Sequence, residues 1–439
     1  MMVLALAATS AGAQATPATL SLGDAARLAA LQSAPVVAAR HRSEQADARV
    51  TQRRADLLPN VSASAVENGR TLNTATFGID FPSPPGQPPV FDPDGQLEGP
   101  VNIFDTRARF AQSLFDPGAL GRVRSARAAA SASEYDAVAV AEQAAATAAS
   151  AYVRAARAEA QLGARVADSV LAEDLLRVAR EQLTAGVGVA LDVTRAQSQL
   201  AAIRAQLIAV RNDRGRARLE LLRALALPLD TRLTLTDSLS ALRLDDAVPA
   251  EDAAIARALR DRADLRSIDA QLTAVDRQVS AVRAERLPTV AAFGDYGAIG
   301  KNGGSMLATY NWGVQLSLPL FDGFRREGRV EEQTALHREI DVRRKDLREQ
   351  ASVEVRTALL DLASAREAVA AAQERVRLAE QEVAQASERF RAGVAGNADV
   401  FTASISLNGA RTQVVDALAS YQNARIALAR AEGGARDIR

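Results

Sequence analysis

The sequence predicts a mainly α-helical protein with a transmembrane β part, organised as an internal two-fold repeat with four strands per chain. Three observations predict this fold class: heptad patterns in long stretches, two pairs of amphipathic strands, and one order of elements that occurs twice. The 439 residues are 48% hydrophobic but only 4% aromatic, and they are rich in alanine and arginine. Both residues are strong helix formers, which suits very long helices.

The N-terminal segment, 1–15, has the pattern of a secretory signal peptide. An apolar run leads to Ala13-Gln14-Ala15, a small-x-small cleavage site, which predicts a mature chain that starts near Thr16. The basic n-region is missing, which leaves open whether the N-terminus is complete; a frayed, alanine-rich end is the alternative. No later stretch offers the ~20 uncharged apolar residues of a membrane helix, so any membrane contact of the mature chain is expected from strands.

The first repeat is predicted over residues 16–226. Its opening helical stretch ends at Leu58-Pro59, because proline stops a helix and favours an extended chain. Residues 59–115 then form a strand hairpin whose proline-rich middle has no regular structure. A helical hairpin over 118–226 completes the repeat. It is broken at its tip around Gly186, since glycine readily takes left-handed backbone angles.

The second repeat, 251–432, follows the same plan. It consists of a helix, a strand hairpin over 288–321 and a helical hairpin over 323–432, with a connection at 227–250 before it and a tail at 433–439 after it. A repeat of ~200 residues is too long for a solenoid unit, so the chain is expected to be a fused pair of modules.

Both helices of the second hairpin carry a seven-residue repeat with a large apolar residue at position a and alanine at position d. The a positions are Val355, Leu362, Val369, Val376, Val383 and Phe390 in the first helix, and Val400, Leu407, Val414, Tyr421 and Leu428 in the second. Such a seam requires a partner helix, and alanine at d lets two antiparallel backbones approach closely. The same frame, 207 residues earlier, fits the first hairpin except where Arg165 and Ser169 interrupt it.

Alternation in the strands predicts a sheet that exposes one face to lipid. In Thr309–Leu320 the apolar positions are Tyr310, Trp312, Val314, Leu316 and Leu318, and polar residues alternate with them. A strand packed on a soluble core is the alternative. Two hairpins give only four strands, and an open sheet in lipid would leave backbone groups unsatisfied. Several chains are therefore expected to share one β-barrel.

Composition argues against several classes of function. Equal numbers of basic and acidic residues, 53 each, remove the electrostatic case for a nucleic-acid partner. The absence of cysteine excludes disulfides and thiolate metal sites. His41 and His337 stand on separate polar helical stretches, so they are interpreted as solvated residues rather than metal ligands. The sequence offers no nucleophile–base constellation and no phosphate loop, so we expect neither enzyme activity nor a cofactor.

Taken together, these features resemble the TolC family of outer-membrane efflux proteins over essentially the whole mature sequence. The resemblance is carried by the duplicated plan, by Leu-Pro entries at 58–59 and 287–288, and by paired tips at Leu183–Gly186 and Phe390–Gly393. It implies a homotrimer in which a twelve-stranded outer-membrane β-barrel continues into a coiled-coil α-helical barrel across the periplasm. It also implies a small mixed equatorial region at 227–250.

The function that the resemblance implies is that of a passive outer-membrane exit duct, in a tripartite efflux pump or a type I secretion system. Its partners would be a periplasmic adaptor and an inner-membrane transporter of the RND, ABC or MFS type. The alternative is that the chain is itself the periplasmic adaptor. An adaptor would carry one helical hairpin flanked by β-rich segments, whereas this sequence has two hairpins.

The resemblance also implies roles for the hairpin tips. By position, Gly186, Val187, Gly393 and Val394 correspond to adaptor contacts, and Asp192, Asp399 and Phe390 to the gate of the periplasmic entrance. Phe390, Ala395 and Thr402 stand where a well-known member has a tyrosine, an arginine and an aspartate, so part of the usual lock is missing. In simpler interpretations the glycines only end helices and the aspartates cap them; for the aspartates, capping is preferred over gating.

Overall fold

The computed structural model describes residues 18–77, 86, 95–241, 248–392, 394 and 396–438. The predicted signal peptide, most of the proline-rich segment, and Gly393 and Ala395 lie outside the described residues. The chain divides into two compact units. The helical unit comprises residues 1–43, 132–269 and 342–439, and the strand unit comprises residues 44–131 and 270–341.

Eight α-helices and six strands account for most of the described chain. The helices are α1 (Leu22–Gln32), α2 (Ala34–Ala55), α3 (Pro117–Thr184), α4 (Ala190–Ala224), α5 (Glu251–Asp261), α6 (Ala263–Ala284), α7 (Arg325–Arg391) and α8 (Asn397–Glu432). The strands are β1 (Ala18–Leu20), β2 (Asn60–Asn73), β3 (Leu97–Phe115), β4 (Leu233–Leu235), β5 (Thr289–Gly300) and β6 (Leu307–Ser317). No helix in the described part of the chain combines the length and apolarity of a membrane span.

Three element boundaries differ from the sequence prediction. The first helical stretch is interrupted at Ser33, because Pro35 has no backbone N–H to continue the hydrogen bonds of α1. The second helical hairpin starts at Arg325 rather than 323, since Gly323 and Phe324 both have positive φ angles. The last strand ends at Ser317, because Pro319 cannot donate to a strand ladder.

The strand unit contains one antiparallel sheet in the order β2-β3-β5-β6. The two predicted hairpins therefore join through β3 and β5, with Arg107 opposite Gly297. The register puts the apolar positions of neighbouring strands on one face, and Tyr296 lies directly opposite Tyr310. The other face carries Asp105, Arg107 and Arg109. The alternation in the sequence is thus confirmed as a sheet with one apolar and one polar face.

The helical unit buries the heptad seams. Val355, Leu362 and Phe390 on α7 are buried, as are Val400 and Leu407 on α8. The alanines at position d are buried as well, apart from two that are half-buried, Ala365 and Ala417. The predicted antiparallel hairpin is confirmed. Its backbones approach closely because alanine fills the seam with little volume.

A buried polar cluster stands where the first hairpin departs from the heptad. Asp168 is 5% exposed and lies between two arginines, with Arg165 Nη1 at 3.0 Å and Arg411 Nη1 at 2.9 Å. Arg165 also donates to Asn408 and, at 2.7 Å, to Thr412. Along α3 and α8 this cluster separates an equatorial core around Tyr152 and Tyr421 from a tip core around Leu176 and Phe390.

The connection after α4 contains a small parallel pair of strands. β4 pairs with β1, and Leu235 lies opposite Leu20. The buried hydroxyl of Tyr152 on α3 donates to the carbonyl oxygen of Leu20 at 3.1 Å. The described part of the connection at 227–250 thus contains β4 and turns, while residues 242–247 lie outside the described chain, and the mixed equatorial region stays a prediction.

Candidate functional site

The two tips of the helical hairpins have the same turn geometry. At the first tip, Gly186 has a φ angle of 76° and the N–H of Val187 donates to the carbonyl of Gln182 at 3.1 Å. At the second tip, the N–H of Val394 donates to the carbonyl of Arg389, also at 3.1 Å. A left-handed residue at a helix end favours glycine, so Gly186 has a structural role whatever it binds.

Exposed apolar side chains cover the tips. Val187 is 79% exposed and Val394 is 70% exposed, and Val189 and Leu191 beside them are also exposed. Apolar side chains grouped at one place on a surface commonly mark an interaction site. Of the four residues predicted to contact an adaptor, Gly186, Val187 and Val394 lie in these turns, and Gly393 falls outside the described residues.

The two tip aspartates lie in the first turns of α4 and α8, but they do not cap these helices. The N-cap residues are Val189 and Gly396, and neither makes a side-chain capping bond, while both aspartates lie in the predicted first turns, where the helix dipole stabilises a carboxylate. Asp192 lies 3.9 Å from Arg195, and Asp399 lies 3.8 Å from Arg389. Both pairs stay within one hairpin. In the second pair both side chains are exposed, and such surface ion pairs contribute about 0–1 kcal/mol to stability.

Phe390 is a core residue of the tip. Its side chain is 3% exposed and packs in the tip core. This burial corrects the expectation that its ring faces an entrance as a gate residue. Thr402, at another departure from the family pattern, donates its hydroxyl to the carbonyl of Ala398 at 3.0 Å, so it serves its own helix.

Two side-chain amides connect the tip of one hairpin with the tip of the other. Gln182 Nε2 donates to the carbonyl oxygen of Phe390 at 2.9 Å, and Asn397 Nδ2 donates to that of Asp192 at 3.1 Å. Asn397 is fully buried. Sequence reasoning missed both residues. The internal repeat did contain a signal, because neither residue has an identical counterpart in the other hairpin. The counterpart of Gln182, 207 residues later, is an arginine, and the counterpart of Asn397, 207 residues earlier, is an alanine.

On the polar face of the sheet, Arg107 reaches across β5. Its Nη1 pairs with Asp295, and its Nη2 donates to Thr309 Oγ1 on β6 at 3.2 Å. Gly297 makes this possible. A Cβ atom there would lie 2.3 Å from the carbonyl oxygen of Thr106 and 2.9 Å from the Cα of Arg107. Arg109 is exposed on the same face.

The apolar face is uncovered in this chain. Tyr310, Val314 and Leu316 are all largely exposed, and Trp312 is 76% exposed. Leu318, the fifth residue predicted for this strand, is exposed but lies beyond the end of β6, which corrects its assignment. Near it, the exposed rings of Phe321 and Phe324 meet edge to face with centroids 5.6 Å apart.

Histidine and carboxylate side chains are the candidates for a metal site in this chain. Within the described residues, no group of three or more histidine, aspartate and glutamate side chains is placed to hold a metal ion. His337 is about one-third exposed and its Nε2 lies 3.3 Å from Asp276, so it is a surface residue with a carboxylate neighbour.

Solved structures of the same fold are outer-membrane channels. The channel OprN is 20% identical, with a TM-score of 0.76 over 94% of this chain and 90% of its own. CmeC of Campylobacter jejuni is 20% identical, with a TM-score of 0.76 over 94% and 86% of the two chains. MtrE of Neisseria gonorrhoeae, in its open state, is 18% identical, with a TM-score of 0.76 over 94% and 89%. No curated protein matches the sequence.

Residues 25–227 and 254–434 match the family model of the outer membrane efflux protein. The chain therefore belongs to this family and is an efflux channel protein of the outer membrane that extends into the periplasm. Because the match covers both halves of the chain, it decides against the alternative of a periplasmic adaptor.

Proposed function

We propose that this protein is the exit duct of a tripartite efflux pump or type I secretion system, and that three copies form one channel. The observation that carries the proposal is the four-stranded sheet, which has one apolar face, one polar face and two edges, β2 and β6. Edges in lipid leave backbone groups unpaired, so the sheets of neighbouring copies must close a common barrel. Tyr310, Trp312, Val314 and Leu316 would then face lipid.

A second copy of the chain also suits the outer side of α7. Val342, Leu360 and Leu378 are exposed and stand 18 residues apart, which is five turns of an α-helix. This stripe lies on the side of α7 opposite to the seam with α8. Exposed apolar side chains at these positions are places where a helix of a neighbouring copy would pack.

The tips are the proposed contact with the periplasmic adaptor. Gly186, Val187, Gly393 and Val394 are the residues we assign to it, because the valines are the exposed apolar groups at the turns. Asp192 and Asp399 are assigned to the entrance that these tips surround. We infer that the channel of this protein has an open state, as MtrE does. An inner-membrane transporter of the RND, ABC or MFS type supplies the energy.

The proposal is tested by complementation in a strain that lacks this gene. Wild-type protein should restore resistance to, or secretion of, the exported compounds, whereas Val187→Glu combined with Val394→Glu should fail, because two charges would enter an apolar contact. Gln197→Glu, which adds a charge at an exposed position of α4, is the control. Full restoration by the double variant, present in the outer membrane at wild-type level, would remove the tips from the adaptor contact.

A further inference from the structure

The polar links between the two hairpin tips of one chain are neutral groups rather than charges. Among the described tip residues, the hydrogen bonds that cross between hairpins come from Gln182 and Asn397. The ion pairs of Asp192 and Asp399 stay within their own hairpins. These ion pairs therefore add little that would resist separation of the hairpins, and salt would screen them further.

The carbonyl of Phe390 is well suited to accept such a bond. Phe390 lies in the last turn of α7, where carbonyl groups lack a donor from their own helix. Gln182 supplies that donor from α3, and the buried ring of Phe390 fixes the carbonyl in place. Asn397 is the first residue of α8 and reaches the first turn of α4. Each bond therefore ties a helix end of one hairpin to a helix of the other.

The arrangement also contains an uncompensated group. The Oδ1 of Asn397 is buried and has no hydrogen-bond partner among the described residues. A buried acceptor without a partner is unfavourable, and water would satisfy it once the hairpins separate. Contact between the two tips is thus opposed by one desolvated oxygen, which brings the joined and separated states of the tips closer in free energy.

We propose that Gln182 and Asn397 form an amide latch that holds the two hairpin tips of one chain together and sets how readily the entrance opens. This inference rests on the proposed function as a channel. Because amides do not titrate and are weakly affected by salt, closure by the latch is insensitive to ionic strength.

The test uses Gln182→Glu, which keeps the size of the side chain but removes the amide donor. At pH 7 the carboxylate faces the Phe390 carbonyl and repels it, so single channels in planar bilayers should be open roughly fivefold more of the time than wild type. At pH 4 a protonated glutamic acid can donate again, since its ordinary pKa is about 4.3, and conductance should return toward the wild-type value.

Gln385→Glu is the matched control, because Gln385 is an exposed glutamine on α7 five residues before Phe390. It should conduct like wild type at both pH values. Asn397→Ala should open the channel at both pH values, since alanine cannot donate.

Two results separate this inference from the proposed function. If Gln182→Glu inserts as a trimer yet conducts like wild type at pH 7, or remains open at pH 4, the latch is refuted while the channel stands. If wild-type protein forms no channel at all, the proposed function fails and the latch fails with it.

Discussion

At the scale of single residues, two glycines of α3 differ in the space around them. A Cβ atom at Gly121 would lie 2.6 Å from the Cβ and 2.7 Å from the Cα of Ala281 on α6, so the two helices meet in backbone contact there. Gly163, on the same helix, has nothing within 4 Å of a Cβ position. Glycine is therefore required at the first position and only tolerated at the second.

This contrast gives a paired prediction. Gly121→Ala should destabilise the protein by about 1–3 kcal/mol, because the helices must separate to admit a methyl group. Gly163→Ala should be neutral or stabilising by up to about 1 kcal/mol, because alanine is the better helix former. Thermal unfolding of both variants in detergent measures the effect. Equal shifts in the two variants would show that α3 and α6 do not touch at Gly121.

Arg262 is the residue on which a buried ionic network depends. Its guanidinium lies 2.7 Å from Asp264 and 2.6 Å from Glu354 at the break between α5 and α6. Burial raises the pKa of Asp264, but the hydrogen bond and charge of Arg262 outweigh burial and hold this pKa below its usual value. Burial likewise lowers the pKa of Arg262, and its two carboxylate partners more than restore it.

Removing the charge of Arg262 should lower the stability of the fold by an amount that depends on pH. Arg262→Leu should lower the free energy of unfolding by about 1–3 kcal/mol at pH 7, because two partly buried carboxylates lose their partner. A lowered carboxyl pKa stabilises the fold above its unfolded value of about 3.9, and this contribution disappears as the pH falls through the folded value. The difference from wild type should therefore shrink below about pH 4.

Denaturant unfolding at pH 7 and pH 3.5 measures this difference. Arg260→Leu is the control, since Arg260 is exposed and, among the described residues, forms its ion pair with its neighbour Asp261. A loss of equal size in both variants, or one independent of pH, would contradict the role assigned to Arg262.

At the scale of elements, the seam between α7 and α8 is the feature that makes so long a hairpin stable. Ala372→Leu or Ala379→Leu should cost about 1–3 kcal/mol each, because both alanines are buried and leucine would force the backbones apart. Gln381→Leu, at an exposed position of the same helix, should be nearly neutral. Thermal unfolding distinguishes them, and equal effects at buried and exposed positions would refute the heptad assignment.

The sequence predicted those elements whose signal is local. The heptads specify α7 and α8, and alternation specifies the faces of β6, because each pattern records burial along one element. The β1–β4 pair was not predicted, since three-residue strands from distant parts of the chain carry almost no local signal. Arg165 was interpreted as a fault in the seam, but it is a member of the Asp168 cluster, whose partners come from α8.

The turns at the hairpin tips were predicted in position, while the roles assigned to their residues stay predictions. The glycines and valines of the tips were found because they interrupt long helices and repeat at a fixed offset. Gln182 and Asn397 were missed because their partners are backbone carbonyls, which any residue type provides. The charged tip residues Asp192 and Asp399 were predicted instead, although their ion pairs lie within single hairpins.

At the scale of the whole molecule, the protein belongs to the outer membrane efflux family and has surfaces that one chain leaves uncovered. The apolar sheet face and the two sheet edges each require a neighbour. Lipid suits the first, and further copies of the chain suit the other two. On these grounds we propose one assembly, a barrel shared by three chains.

The most direct test of this assembly is the mass of the protein extracted from outer membranes in detergent, measured by native mass spectrometry. The account predicts a species of three chains that resists dissociation by SDS at room temperature, because the edges of all twelve strands are paired within it. A single chain that stays soluble and monodisperse without detergent would contradict the shared barrel.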